Sequence, residues 1–512
     1  MAVKSLIAVG AGGLVVDIEC HLSNNLPNII IVGFANKAVD EARERIRGAF
    51  ASSKLELPRK RIIINLAPAD IPKADSGFDL AIAACILQAS SNVLKDLFQQ
   101  AAFIGELGLD GTARPVRGII GKLLAGREKG LATFYIPVAN VQQSLLIPGL
   151  HIIPIASLRE LADHLTGLKS ISAIQTDGAD TAVNSMSHNV EPRSGRVVLS
   201  MVVGQLQAKR ALEIAAAGGH NILLSGPPGT GKSMLAKAMP SILPPLGREE
   251  ILEVTHLHSL ASHDYDRIIT ERPLRAPHHS ASHAAIVGGG AASKPGEITL
   301  AHRGILFFDE LPEFGRATLE ALRQPLEDRR ITVSRVRDTI DYPANFILVA
   351  TANPCPCGYH GFATAGPCRC LEPQVRQYQQ RLSGPIIDRI DLYTTVHEVD
   401  HAVLLTSVAD DAADEAVRQR IHKARQLQKN RYGLGFLNAD VSNLQLNQTA
   451  KLEPAAKVVL DTAATRLHLS ARAYIRTVKV ARTIADLDES PAISPAHLTE
   501  ALAYRPHLPA PV

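Results

Sequence analysis

Short apolar blocks separated by turn-forming residues fill the chain from its start to about residue 165. The runs at 28–32, 61–66, 102–104 and 133–136 read as strands, and the helical spacing of apolar positions at 37–51 and 78–88 reads as helices. Interleaved strands and helices define an α/β domain, assigned to residues 1–166. Periodicity then vanishes over 167–196, where Ser, Thr, Asp, Asn and Gly dominate, so a flexible linker is expected there. A second α/β region spans 197–396. From 397 to 512 the apolar period is helical, clearest at 402–430, 454–467, 471–487 and 494–504, which predicts a helical C-terminal domain. Several domains are expected on length alone, because single cores stop growing near ~250–300 residues.

Apolar residues make up 46% of the sequence and charged residues 20%, a balance that folds rather than stays disordered. Aromatics are only 4% and Trp is absent, so the core is aliphatic and broad base-stacking platforms are disfavoured. A net charge of +4 is compatible with a local basic lining without requiring a polyanionic partner. No apolar run reaches the ~18 residues of a membrane span and the start lacks a signal peptide, so a cytoplasmic protein without membrane contact is expected. Four of the six cysteines fall between Cys355 and Cys370, which in a reducing compartment suits a metal site better than a disulfide framework.

The strongest chemical signal follows the apolar run Asn221-Ile-Leu-Leu-Ser225. It is Gly226-Pro227-Pro228-Gly229-Thr230-Gly231-Lys232-Ser233, leading into a helical pattern, a complete P-loop in its strand–loop–helix context. Its glycines let backbone N–H groups turn toward phosphate oxygens, Lys232 reaches the β and γ phosphates of ATP, and Ser233 ligates Mg2+. Gly304-Ile-Leu-Phe-Phe-Asp309-Glu310 is a second apolar strand ending in two carboxylates: Asp309 to hold Mg2+ through water and Glu310 to polarise the attacking water. A third such strand ends at Asn353, placed to sense the γ-phosphate.

Cys355-Pro-Cys357 and Cys368-Arg-Cys370, in the loop 354–371, offer four thiolates for a tetrahedral, structural Zn2+; reduced inert thiols are the alternative. His278, His279 and His360 are spare ligands. Residues 331–340 alternate as a strand with Arg335 and Arg337 on one face, a phosphate-gripping pair or a solvated strand face. Val9-Gly-Ala-Gly-Gly13 lacks the third glycine of a dinucleotide fingerprint, because Val15 stands in its place.

With these motifs in place, the chain resembles the magnesium-chelatase-like ComM (YifB) family of AAA+ proteins. The resemblance runs from Gly33 through Val202-Val-Gly-Gln-Leu-Gln-Ala-Lys-Arg210, Arg275-Ala-Pro-His-His279, Gly288-Gly-Gly290, Lys294-Pro-Gly-Glu-Ile298 and Ser470-Ala-Arg472 to Ala481-Arg-Thr-Ile-Ala-Asp-Leu487. It implies a P-loop AAA+ core with a C-terminal helical lid, preceded by a Lon-peptidase-like α/β domain. It also implies that Arg389, in Gly384-Pro-Ile-Ile-Asp-Arg389, is the finger acting on a neighbour's ATP, with Arg381 as rival, and that Arg472 is the second sensor. A finger supplied in trans requires a closed ring, hence a homohexamer. The segment 270–300 corresponds to a hairpin insertion facing the pore, and residues 331–340 to the hairpin before the sensor strand.

In the Lon-like domain the resemblance lies in residues 65–78 and 105–118, and it puts Gly77 where that peptidase has its Ser and Ile120 where it has its Lys. Ser76 and Lys122 are near but shifted, so a non-catalytic docking module is expected. The function implied is an ATP-driven motor on branched or duplex DNA, promoting branch migration in natural transformation, with recombination proteins as partners. A metal-chelatase-type motor and a protein-remodelling ATPase are the alternatives.

Overall fold

The computed structural model describes the chain apart from residues 1, 10–11, 34–36, 70–76, 177–196, 263, 290–293, 335–338, 363–365, 383, 400–409, 434 and 506–512. The N-terminal domain is built on one mixed eight-stranded sheet. Across it lie Ile174–Gln175, His151–Ile155, Thr133–Pro137, Ala101–Phe103, Val3–Val9, Gly12–Ser23, Arg61–Ala67 and Asn28–Val32. The glycine-rich Val9–Gly13 stretch joins strands Val3–Val9 and Gly12–Ser23, which pair antiparallel with Val9 opposite Gly12. The helix Asp79–Ser90 is apolar all round and buried from Asp79 to Leu87, as a helix pressed between a sheet and its neighbours must be.

One expectation is corrected here. Residues 167–176 are not linker throughout, because Ile174–Gln175 adds the edge strand beside His151–Ile155 and Thr176 Oγ1 accepts the Leu150 N–H at 2.8 Å. An edge strand of two residues carries too little pattern to be read from sequence. The rest of the expected linker, 177–196, lies outside the described residues.

The second α/β region has a five-stranded parallel sheet. Numbered by sequence within this domain, its strands are Ile222–Ser225, Leu274–Arg275, Ile305–Phe308, Ile347–Ala352 and Leu392–Thr395, and they lie in the order 2-3-4-1-5. The first strand is therefore interior, between the fourth and the fifth, and the ends of the third and fourth strands lie on one side of it. Helices follow from Asp411 to the end: Asp411–Tyr432, Asn443–Thr449, Pro454–Arg466, Ala471–Leu487 and Pro495–Ala503. This helical domain packs on the core through Leu206–Gly218, with Arg425 donating to Ala216 O at 2.6 Å and Gln428 to Ala217 O at 3.1 Å.

The N-terminal domain docks on the core through two helices. Ile119, Ile120 and Leu123 of helix Ile119–Glu128 share an apolar cluster with Leu246, Ile251 and Val254, the last two from helix Arg248–Ala261. At the crossing the Gly121 N–H donates to His256 Nδ1 at 3.3 Å, and Gln143 Nε2 donates to Arg267 O at 3.0 Å. Among the described residues no helix is long and apolar enough to cross a membrane.

Candidate functional site: a phosphate loop, two arginines and four thiols

The sheet order explains why three separated motifs meet. Strand pairing sets Leu224 beside Thr351 and Ser225 beside Ala352, and Phe308 beside Ala350, so the loop after Ser225 opens beside Asn353, with Asp309 one strand further along. Gly226 lies so close to the neighbouring strand that a Cβ there would sit 2.3 Å from Val396 O. At Gly231 the demand is conformational, φ +87°, with nothing within 4 Å of an added Cβ; the loop is an open cradle closed by backbone geometry alone.

Within it Lys232 is buried, and its ammonium donates to Gly226 O at 2.7 Å, Pro227 O at 2.6 Å and Asn353 Oδ1 at 3.2 Å. Burial lowers the Lys232 pKa, opposed by the charges of Asp309 and Glu310. Ser233 Oγ donates to Asp309 Oδ2 at 2.9 Å, which brings together the two groups read as magnesium ligands. Thr230 Oγ1 ties the loop to itself through Pro227 O at 2.9 Å, and the exposed Pro228 and Gly229 form its rim.

Thr351 is a residue that the motif reading missed. Its Oγ1 donates to Asp309 Oδ1 at 2.6 Å and accepts the Glu310 N–H at 2.8 Å, so it orients both carboxylate-bearing residues. The signal was present: Thr351 and Asn353 are two apart on one strand and therefore share a face. Glu310 itself has φ +54°, a left-handed backbone rare for a residue with a side chain and characteristic of functional sites. Its carboxylate is exposed, free to meet a ligand in the cradle.

Arg389 and Arg472 form a second constellation. Both point at Glu327, Arg389 at 2.6 Å and Arg472 at 3.6 Å. Arg389 is buried within its own subunit, with 7% of its side chain exposed, against 61% for Arg472. Arg381, the rival, is 52% exposed and pairs with Glu313 at 3.0 Å, just beyond the Asp309-Glu310 turn. Just before the strand Leu392–Thr395, Asp391 is tied to the helical domain by Arg476, 3.4 Å away. Asp391 is buried; burial pushes its pKa up, but the His220 ring 3.6 Å away and the Arg476 charge outweigh this and leave it lowered.

The four cysteines converge. Cys355 Sγ lies 3.3 Å from Cys357 Sγ and 3.8 Å from Cys368 Sγ, Cys357 lies 3.6 Å from Cys368, and all four sulfurs fall within 4.8 Å of one another. Four thiolates at ~2.3 Å from a tetrahedral ion stand ~3.8 Å apart, so the donor set fits zinc. His360 contributes its backbone N–H to Cys355 Sγ at 3.3 Å, while His278 and His279 stack on each other beside Phe314 and are not part of the thiol group. The turn of this knuckle rests on the phosphate loop: a Cβ on Gly358 would lie 2.6 Å from Pro228 Cδ.

The strand alternation over 331–340, which the family resemblance placed at a hairpin, belongs to two paired strands. Arg330–Ser334 pairs antiparallel with Thr339–Pro343, because the alternation on both sides buries Ile331, Val333 and Tyr342 on one core. Arg335 and Arg337 lie outside the described residues. The segment 270–300 contains a small antiparallel pair, Gly288–Gly289 with Lys294–Pro295. In the N-terminal domain Gly77 O accepts from the Gly105 N–H at 3.0 Å, Ile120 and Lys122 are fully buried, and Ser76 lies outside the described residues.

A P-loop on the first strand of a 2-3-4-1-5 sheet, with acidic and asparagine strand ends beside it and a helical domain behind, defines an AAA+ protein of the magnesium-chelatase type. Residues 198–404 match the family described as magnesium chelatase, subunit ChlI, residues 18–140 that of subunit ChlI of Mg-chelatase, and residues 412–505 the subunit ChlI C-terminal family. The chain is 40% identical over 504 residues to YifB of Escherichia coli strain K12, covering 98% of this chain and 96% of that one. It is equally 40% identical over 504 residues to competence protein ComM of Haemophilus influenzae, covering 98% and 97%. With the magnesium-chelatase 38 kDa subunit of Cereibacter sphaeroides the likeness is 28% over 173 residues, 30% of this chain and 52% of that subunit. The chain belongs to the ComM/YifB family.

Proposed function

We propose that this protein is a hexameric ATP-driven DNA motor that promotes branch migration of recombination intermediates during natural transformation. The observation that carries the reading is the end-to-end likeness to a competence protein, over 98% of the chain, with the complete P-loop set assembled at one sheet edge. The likeness to a magnesium-chelatase 38 kDa subunit covers only 30% of this chain.

In this reading Lys232 leaves the carbonyls of Gly226 and Pro227 for the β and γ phosphates of ATP. Ser233 and Asp309 hold magnesium, which when bound neutralises phosphate charge. Glu310 takes a proton from the attacking water. Asn353, bonded to Lys232, reports the γ-phosphate, and Arg389 of a neighbouring subunit stabilises the transferring group. The four cysteines hold a structural zinc, which when bound stiffens the loop that rests on Pro228. Arg335 and Arg337 are proposed to touch DNA phosphates from the hairpin that precedes the Asn353 strand. The N-terminal domain is a non-catalytic docking module.

The test is which polymer accelerates turnover. A four-way DNA junction is expected to stimulate ATP hydrolysis by the purified hexamer, and an unfolded protein is not. Stimulation by unfolded protein alone would replace this reading with client remodelling.

A further inference from the structure

Glu327 occupies a position that the catalytic reading does not use. It lies in the short helix Arg323–Asp328, immediately before the hairpin strand Arg330–Ser334. Its carboxylate meets Arg389 at 2.6 Å and Arg472 at 3.6 Å, and thus bridges a residue of the core to a residue of the helical domain. Two residues on, Arg329 repeats the connection in reverse: its guanidinium pairs with Asp440 of the helical domain at 2.6 Å and donates to Phe346 O at 3.0 Å. The root of the hairpin is therefore held to the lid by opposite charges on either side of one turn.

The three charges of the Glu327 cluster are not equally solvated. Arg389 is nearly enclosed, whereas Glu327 keeps 42% of its side chain in solvent and Arg472 more. A guanidinium withdrawn from water must keep an anion beside it, because an uncompensated buried charge is costly. Within one subunit Glu327 is that anion. A phosphate group carries more charge and also presents two oxygens for bidentate pairing with a guanidinium, so it competes directly for either arginine.

We propose that Glu327 is a positioning residue that holds Arg389 and Arg472 in the unassembled subunit and surrenders them to nucleotide phosphate when the ring forms. Release at Glu327 also loosens the root of the 330–343 hairpin, so one exchange of ion pairs links nucleotide occupancy to that hairpin. The proposal rests on reading Arg389 as the finger, and its readouts are chosen to be independent of DNA.

The experiment compares the full-length protein with Glu327→Gln and Glu327→Asp. Assembly is followed by sedimentation velocity against protein concentration with a non-hydrolysable ATP analogue, and hairpin opening by amide hydrogen exchange. Glu327→Gln removes the competitor, so half-assembly is expected at about fivefold lower protein concentration, the scale of a partly exposed ion pair. Strands Arg330–Ser334 and Thr339–Pro343 are expected to exchange faster without nucleotide in Glu327→Gln, at the rate the unaltered protein reaches only with the analogue. Glu327→Asp keeps the charge at shorter reach and shifts both readouts in the same direction by less; it carries the test should Glu327→Gln lose its fold. Unchanged assembly and unchanged hairpin exchange in a folded variant overturn the proposal. Mixed rings of Arg389→Ala and Lys232→Ala subunits report the finger separately: turnover restored by mixing supports it. An assembly shift without such restoration sustains the Glu327 clamp and removes the finger role.

Discussion

The two α/β domains of this chain each bury a lysine near a glycine turn, and among the described residues the phosphate-site groups gather around Lys232. Lys232 sits beneath an open loop, with its ammonium on two loop carbonyls and Asn353 and two carboxylates beyond. Lys122 lies fully buried on helix Ile119–Glu128, the helix whose Ile119, Ile120 and Leu123 join the apolar cluster shared with the neighbouring domain. A lysine becomes chemically useful through its neighbours and through access. In the N-terminal domain the helix that bears Lys122 also packs, through Gly121, on helix Arg248–Ala261, and the Lys122 side chain is enclosed.

That contrast is broken most sharply by exchanging the lysines' fates. Lys232→Ala is expected to reduce ATP affinity by about 100-fold or more, since several charge-assisted hydrogen bonds are lost together. Lys122→Met should leave affinity within about twofold, the scale of a change that removes no ligand contact. Titration with a fluorescent ATP analogue separates the two; equal losses would erase the distinction. Next in size, Glu310→Gln is expected to bind ATP normally and lower turnover by about 100-fold or more, the contribution of a general base. Steady-state hydrolysis alongside the same titration checks it, and near-normal turnover would place the base elsewhere.

Much of this contrast was legible in the sequence, for a physical reason. A phosphate site is local: Gly226 to Ser233 must be contiguous to turn successive N–H groups inward, and Asp309 and Asn353 must end strands. Parallel pairing then joins them without further instruction. The docking face was not legible, because Ile120, Leu123, Ile251 and Val254 look like any core positions until two helices cross. Glu327 was equally hidden, since an exposed acidic residue in a short helix carries no pattern. The edge strand Ile174–Gln175 was misjudged because an element this short is set by its partner.

The docking itself yields a smaller effect. A Cβ at Gly121 would lie 2.5 Å from His256 Cε1 and 3.0 Å from Gly12 O, so Gly121→Val forces the helices apart. A loss of about 1–3 kcal/mol, typical of overpacking, is expected as a lower first melting transition, with ATP affinity retained. Simultaneous loss of ATP binding would show that the domains are not separable in function. The smallest effect concerns pH. Asp391 is held charged below its ordinary range by His220 and Arg476, so its contribution is complete above ~3.9, the unfolded value, and fades as pH falls further. Asp391→Asn is expected to flatten the acid side of the stability curve, measured by urea unfolding from pH 2 to pH 5. An unaltered slope would remove Asp391 as the acid-sensitive link between core and lid.

The central claim is that phosphate chemistry at Lys232 and Glu310 moves DNA. The direct measurement mixes the hexamer with a synthetic four-way junction and follows its conversion into duplex arms on a native gel. Conversion is expected with ATP, absent with a non-hydrolysable analogue, and absent in the Glu310→Gln protein. A verified hexamer that hydrolyses ATP and leaves the junction intact, with no acceleration of turnover by DNA, would contradict the account.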